Sequence, residues 1–208
     1  MRIVGLTGSI GMGKSTAAGM LRRQGVWVHD ADATVHKLLG KGGAAVLAIA
    51  KAFPGVVKNG AVDRIALGKR VFGNTSGLRK LEAIVHPLVR QRTERFLAAA
   101  ARARRPVVVL DIPLLFETGG RRCDATIVVS APPYLQAQRV LRRPGMTPEK
   151  FAAILARQMP DREKRRRADE IVSSGLGKAS TYRQLAHALR RLRRRPARGR
   201  APRFSAPQ

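Results

Sequence analysis

Eight residues near the start of the chain, Gly8-Ser9-Ile10-Gly11-Met12-Gly13-Lys14-Ser15, constrain its fold more than any other stretch. They fit the pattern G-x-x-x-x-G-K-[ST] and are followed at once by Thr16. In this pattern glycines let the backbone turn tightly and aim successive N–H groups at phosphate oxygens. The lysine reaches the β- and γ-phosphates, and the hydroxyl can ligate Mg²⁺. Arg2-Ile3-Val4-Gly5-Leu6 reads as a short buried strand. Lys14 to Arg23 reads as a helix carrying Ala17, Ala18, Met20 and Leu21, with Gly25 placed to stop it. Strand, glycine loop and helix together set a helix N-terminus against the phosphates.

The rest of the chain alternates as such a layout requires. Val26-Trp27-Val28-His29 is a second strand running into Asp30-Ala31-Asp32. Carboxylates at the C-terminal end of a parallel strand point into the crevice where open α/β sheets bind ligands, and two of them one residue apart face the same way. General base, outer-shell Mg²⁺ partner and helix N-cap all stay open for them. Pro106 starts a third strand, Val107 to Leu110, closed by Asp111, the position of the acid that backs Mg²⁺ in phosphate-loop enzymes. Ala125 to Val129 and Ala168 to Val172 are the fourth and fifth strands. Helices are expected from Pro133 to Arg142, from Thr147 towards Gln158, from Arg162 to Arg167, and after a Ser180 cap as far as Pro196. The expected fold is a doubly wound, five-stranded parallel sheet of the phosphate-loop NTPase type.

Between strands two and three, residues 33–105 read as a helical insertion with no strand. Gly40-Lys41-Gly42-Gly43 is a turn. Asp63 and Ser76 are expected helix caps, one helix is expected to end at His86-Pro87, and a longer one to run from Leu88 to Arg102. The arginine-bearing stretch 139–167 is expected to form a lid, since phosphoryl transfer needs positive charge and exclusion of water. Gly119-Gly120 is a loop. The whole makes one domain, 1–195, whose core is 1–32, 106–138 and 168–195, followed by an Arg/Pro/Ala-rich tail, 196–208, expected to be disordered.

Charge narrows the ligands. The 208 residues carry 41 Lys+Arg against 13 Asp+Glu, a net +28 that suits polyanionic ligands. With only 4% aromatic residues, base-stacking platforms are scarce, and no specific nucleic-acid partner is expected despite the arginine tail. A single cysteine, Cys123, makes no internal disulfide and suits a reducing compartment. No apolar run approaches 18 residues and no leader pattern opens the chain, so a cytoplasmic location without a membrane partner is expected.

From Ile3 to about Leu189 the chain resembles the dephospho-coenzyme A kinases. The resemblance is carried by Gly5-Leu6-Thr7-Gly8 into the loop, Asp30-Ala31-Asp32, Gly60 with Val62-Asp63-Arg64, and Leu81-Glu82 with Ile84-Val85-His86-Pro87. It continues through Pro113-Leu114-Leu115-Phe116-Glu117, Gln138-Arg139, Arg143, Gln158 and Ala168-Asp169. It implies transfer of the ATP γ-phosphate to the ribose 3′-hydroxyl of dephospho-CoA, with ATP and Mg²⁺ held by Gly8, Gly11, Met12, Gly13, Lys14, Ser15 and Thr16. Asp111 backs the metal. Lys14, Asp32 and Arg139 are the implied catalytic residues, with Arg143 at the phosphates. Arg64, His86, Pro113, Leu114 and Glu117 are implied near the acceptor alongside Asp32. Ser9 stands where the family usually has glycine. Val172-Ser173-Ser174-Gly175 replaces an Asp or Asn before glycine, so that adenine recognition there would rest on backbone groups.

Overall fold

The computed structural model describes residues 1–117 and 123–194. The expected Gly119-Gly120 loop, the Pro196 stop and the 196–208 tail lie outside the described residues. In chain order the first half contains β1 (Arg2–Thr7), α1 (Lys14–Arg23), β2 (Trp27–Asp30), α2 (Ala31–Leu39), α3 (Val46–Ala52), β3 (Val57–Lys58), β4 (Ala61–Val62), α4 (Arg64–Val71) and α5 (Thr75–Arg102). The second half contains β5 (Val107–Asp111), β6 (Ala125–Ser130), α6 (Pro133–Leu141), α7 (Pro148–Ala156), α8 (Asp161–Arg167), β7 (Glu170–Ser173) and α9 (Lys178–Arg194). The chain forms two compact units, one of Met1–His29 with the chain from Ala100 onward, the other of Asp30–Ala99.

The first unit holds the expected five-stranded sheet, in the order β2-β5-β1-β6-β7, with β1 central. β1 runs parallel to β5 and to β6, and β6 parallel to β7. Strands covered on both faces must be apolar throughout, which is how Val107 to Leu110 reads. On one face Val4, Leu6, Val107, Val109, Ile127 and Val129 pack with Ala17, Met20 and Leu21 of α1 and with Leu185, Ala188, Leu189 and Leu192 of α9. On the other, a Cβ at Gly5 would lie 2.5 Å from Leu115 Cδ2 and 2.9 Å from Cys123 Sγ, so glycine is needed there and the lone cysteine serves as packing. Because the strands are parallel, their C-terminal ends share one edge of the sheet. The glycine loop after β1, Asp111, Ser130 and Ser173 therefore gather there.

The second unit has its own core of Leu38, Leu39, Val46, Ile49, Phe53, Val56, Val62, Leu67 and Val85. Three expectations are corrected in this region. The insertion is not purely helical: β3 and β4 form an antiparallel hairpin with Lys58 opposite Ala61. Its two-residue turn is Asn59-Gly60, both left-handed at φ 50° and 76°, the pairing that matches strand twist. The helix expected to end at His86 instead passes through Pro87 as part of the 28-residue α5. An interior proline costs about 3 kcal/mol. Val85, with Leu81, Ile84, Leu88 and Val89 packed on the same core, outweighs it at about 1.5–3 kcal/mol per fully buried side chain. Asn74, not Ser76, caps α5, its side chain accepting from the Gly77 N–H at 2.9 Å. A fourth correction lies in the first unit. α9 begins before Ser180, whose hydroxyl accepts from Gln184 Nε2 rather than capping the helix.

Candidate active site

The glycine loop takes the conformation its composition suggests. Gly11 and Gly13 sit at φ 77° and 88°, and a Cβ at Gly8 would meet the Val129 carbonyl at 2.6 Å. Ser9 is absent from the left-handed positions, which is why a non-glycine residue fits there. Gly13 is the N-cap of α1. No side chain bonds to that cap and no acid lies in the first turn, leaving its N–H groups suited to an anion.

Around the loop, three consecutive carbonyls are taken up by protein donors. The Ile10 carbonyl accepts from Gln136 Nε2 at 2.8 Å, that of Gly11 from Arg139 Nη1 at 3.4 Å, and that of Met12 from Ser174 Oγ at 2.7 Å. The Ile10 N–H donates to Gln158 Oε1 at 3.1 Å. Arg139 also donates to Ser174 Oγ at 2.8 Å and to the Ser174 carbonyl at 2.9 Å, so its guanidinium ties the loop to the end of β7. A carbonyl bonded on the protein side is turned away from a phosphate it would repel. Gln136 and Ser174 were not singled out as site residues in the sequence. Ser174 lies 162 positions from Met12, and no local spacing signals such a contact.

Lys14 Nζ lies 2.6 Å from Asp111 Oδ1, with the carboxylate only 2% exposed, so the two expected site residues of β5 and α1 do meet. Ser15 and Thr16 are exposed on the first turn of α1, and Arg143 is exposed beyond α6. Thr7 Oγ1 donates to the Pro113 carbonyl at 2.9 Å, which fixes the start of the Pro113–Glu117 loop. Leu114 is 40% exposed.

Glu117, expected near the acceptor, has protein partners of its own. Its Oε1 accepts from the Met159 N–H at 2.8 Å and lies 3.0 Å from Nζ of Lys164, a side chain with no exposed surface. That approach is an ion pair whose angle falls short of a hydrogen bond. Burial pushes the Glu117 carboxyl up, but the Met159 N–H and the Lys164 ammonium together hold it below the usual carboxylate range.

In the second unit the two aspartates separate. Asp30 caps α2, accepting from the Ala33 N–H at 2.9 Å. Asp32 is exposed in the first turn and lines a cleft of about 260 Å³ with Val35, His36 and Arg64. Arg64 is the first residue of α4, presented there because Asp63 Oδ1 accepts from the Ile65 and Ala66 N–H groups, both at 3.0 Å. Its Nη1 lies 3.2 and 3.1 Å from His36 Nδ1 and Nε2. A guanidinium only donates, so the ring accepts. His36 was not singled out in the sequence. Its place one helical turn after Asp32 was the available signal. His86 is exposed on α5 and is not among the residues lining this cleft.

Among the described residues no three His, Cys, Asp or Glu side chains cluster as a metal cage, and no helix is long and apolar enough to cross a membrane.

Residues 2–178 match the family model described as dephospho-CoA kinase. A dephospho-CoA kinase of Paramagnetospirillum magneticum is 67% identical over 166 residues, 79% of this chain and 78% of the relative. The solved structure of TT1252 from Thermus thermophilus superposes with a TM-score of 0.81 at 36% identity, covering 92% of this chain and 97% of that one. That of a dephospho-CoA kinase from Campylobacter jejuni does so with a TM-score of 0.63 at 25% identity over the same shares. The chain belongs to the dephospho-CoA kinase family.

Proposed function

We propose that the chain transfers the γ-phosphate of ATP to the ribose 3′-hydroxyl of dephospho-CoA, giving CoA and ADP. The observation that carries this reading is the glycine loop, an uncapped helix N-terminus with Lys14 beside it, in a chain of this family.

The backbone N–H groups from Gly11 to Thr16 bind the nucleotide's phosphates, with Gly8 and Met12 shaping the turn. Lys14, held by Asp111, supplies the counter-charge at the β- and γ-phosphates. The oxygen donors of Ser15 and Asp111 suit a hard cation such as Mg²⁺, which when bound neutralises charge developing on the transferred group. Asp32 orients the acceptor hydroxyl and takes its proton, because Asp30 is committed as a cap whereas Asp32 is exposed in the cleft. Arg64, steadied by His36, faces the anionic part of the acceptor, and His86, Pro113 and Leu114 belong to the same acceptor reading.

Arg139 is assigned a supporting role, since its Nη1 and Nη2 hold the loop and Ser174. Arg143 is the freer cation for the phosphates. The covering segment is narrower than 139–167. Gln158 and α8 are bonded to the loop, to Glu117 and to Ser130, which leaves α7 and its flanks to close over the reaction and exclude water. The cytoplasm as the place of reaction is in keeping with a sequence whose one cysteine, Cys123, has no second cysteine to form an internal disulfide.

ATP consumption measured with dephospho-CoA, adenosine, AMP and shikimate offered in parallel tests the reading. Turnover is expected with dephospho-CoA alone, and preference for any other acceptor overturns it.

A further inference from the structure

We infer that Gln158 is a positioning residue for the nucleotide, acting through the backbone at Ile10. The inference rests on the reading of the glycine loop as the nucleotide site. Ile10 is the one residue of that loop whose N–H and C=O are both bonded to side chains. Gln158 accepts from the former at 3.1 Å and Gln136 donates to the latter at 2.8 Å. With donor and acceptor both engaged, the two peptide groups that flank the Ile10 Cα are each held by a side chain, Ser9–Ile10 by Gln158 and Ile10–Gly11 by Gln136. The carbonyls that follow, at Gly11 and Met12, are held by Arg139 and Ser174.

Gln136 is 6% exposed on α6, a rigid support. Gln158 comes from the junction of α7 and α8, and that junction is itself anchored. The neighbouring Met159 N–H donates to Glu117, and Glu117 faces the ammonium of the wholly buried Lys164. One dipeptide, Gln158-Met159, thus grips the glycine loop through its side chain and the Pro113–Glu117 loop through its backbone. It stands at the base of the segment assigned to close over the reaction.

The test is Gln158→Leu, which removes the acceptor at similar volume. Calorimetric binding of ADP with Mg²⁺ is expected to weaken about tenfold, the size of one lost hydrogen bond to a preorganised loop. KM for ATP should rise with it while KM for dephospho-CoA holds. Gln136→Leu should do the same, and the double variant should bind ADP no more weakly than about either single one, because both act on the backbone at one residue. If Gln158→Leu does not fold, Gln158→Asn, too short to reach the Ile10 N–H, gives the same reading. Unchanged ADP affinity in a folded variant overturns the inference. So does a lowered Tm with unchanged affinity, or strict additivity of the two substitutions. Failure of the wild-type chain to phosphorylate dephospho-CoA would instead overturn the proposed function, and ADP binding would still decide the role of Gln158.

Discussion

At the scale of single residues, the site separates groups that a motif treats alike. Asp30 and Asp32 are indistinguishable by spacing, yet one caps α2 and the other lines the cleft with Arg64. Asp32→Asn is therefore expected to lower kcat by about 10²-fold or more with ADP binding intact, as for a general base. Asp30→Asn, which keeps a capping oxygen, should leave turnover within about threefold. A larger loss with Asp30→Asn, measured in the same steady-state assay, would reverse the two roles. Lys14→Ala removes the cation beside Asp111 and should cost about 10²-fold or more in turnover. Near-normal turnover would remove the loop from the chemistry. Lys14, Ser15, Asp32 and Asp111 were legible because each sits at a fixed offset from a strand end. Gln136, Ser174 and Lys164 were not, because their partners are distant in sequence and an isolated Gln, Ser or Lys has no period.

At the scale of elements, local rules held wherever burial agreed with them. β1, β5 and β6 are apolar runs because both faces of a parallel sheet are covered, and Thr147-Pro148 starts α7 with the Thr147 hydroxyl accepting from Lys150 N–H at 3.3 Å. Two local rules gave way. Asn59-Gly60 is a hairpin signal, but strands of two residues are too short to show alternation beside it. Pro87 is an end signal that α5 overrides, since stopping there would take Leu88 and Val89 off the second core. Pro87 itself is exposed. Pro87→Ala should restore a backbone hydrogen bond and stabilise the chain by about 1–2 kcal/mol, after allowing for the freer unfolded state. Denaturant titration checks this, and an unchanged midpoint would mean that the helix already accommodates the ring without strain.

At the scale of the molecule, charge dominates. With 41 basic side chains against 13 acidic ones, each carboxylate that protonates leaves the positive excess less opposed. Glu117 has its folded pKa held below 4.5, so the stability it contributes is fully present above the unfolded value and is lost as pH falls through the folded one. Asp63, lowered chiefly by the Ala66 N–H, acts in the same direction. Tm should stay nearly flat from neutral pH down to about 5 and fall steeply below about 4.5, with Glu117→Gln lower at neutral pH and converging on wild type in acid. A gap between the two that persists unchanged at about pH 3 would show that the Lys164 pair is not what Glu117 contributes. Periodicity and fixed spacing within a short window were enough for the strand, loop and helix and for the five-strand α/β layout. Tertiary structure alone decided which aspartate caps α2 and which lines the cleft, what holds the loop's carbonyls, that Glu117 pairs with Lys164, and that α5 continues through its proline. Each of these depends on partners brought together only when the core closes, and on burial free energies that exceed the local preference they override.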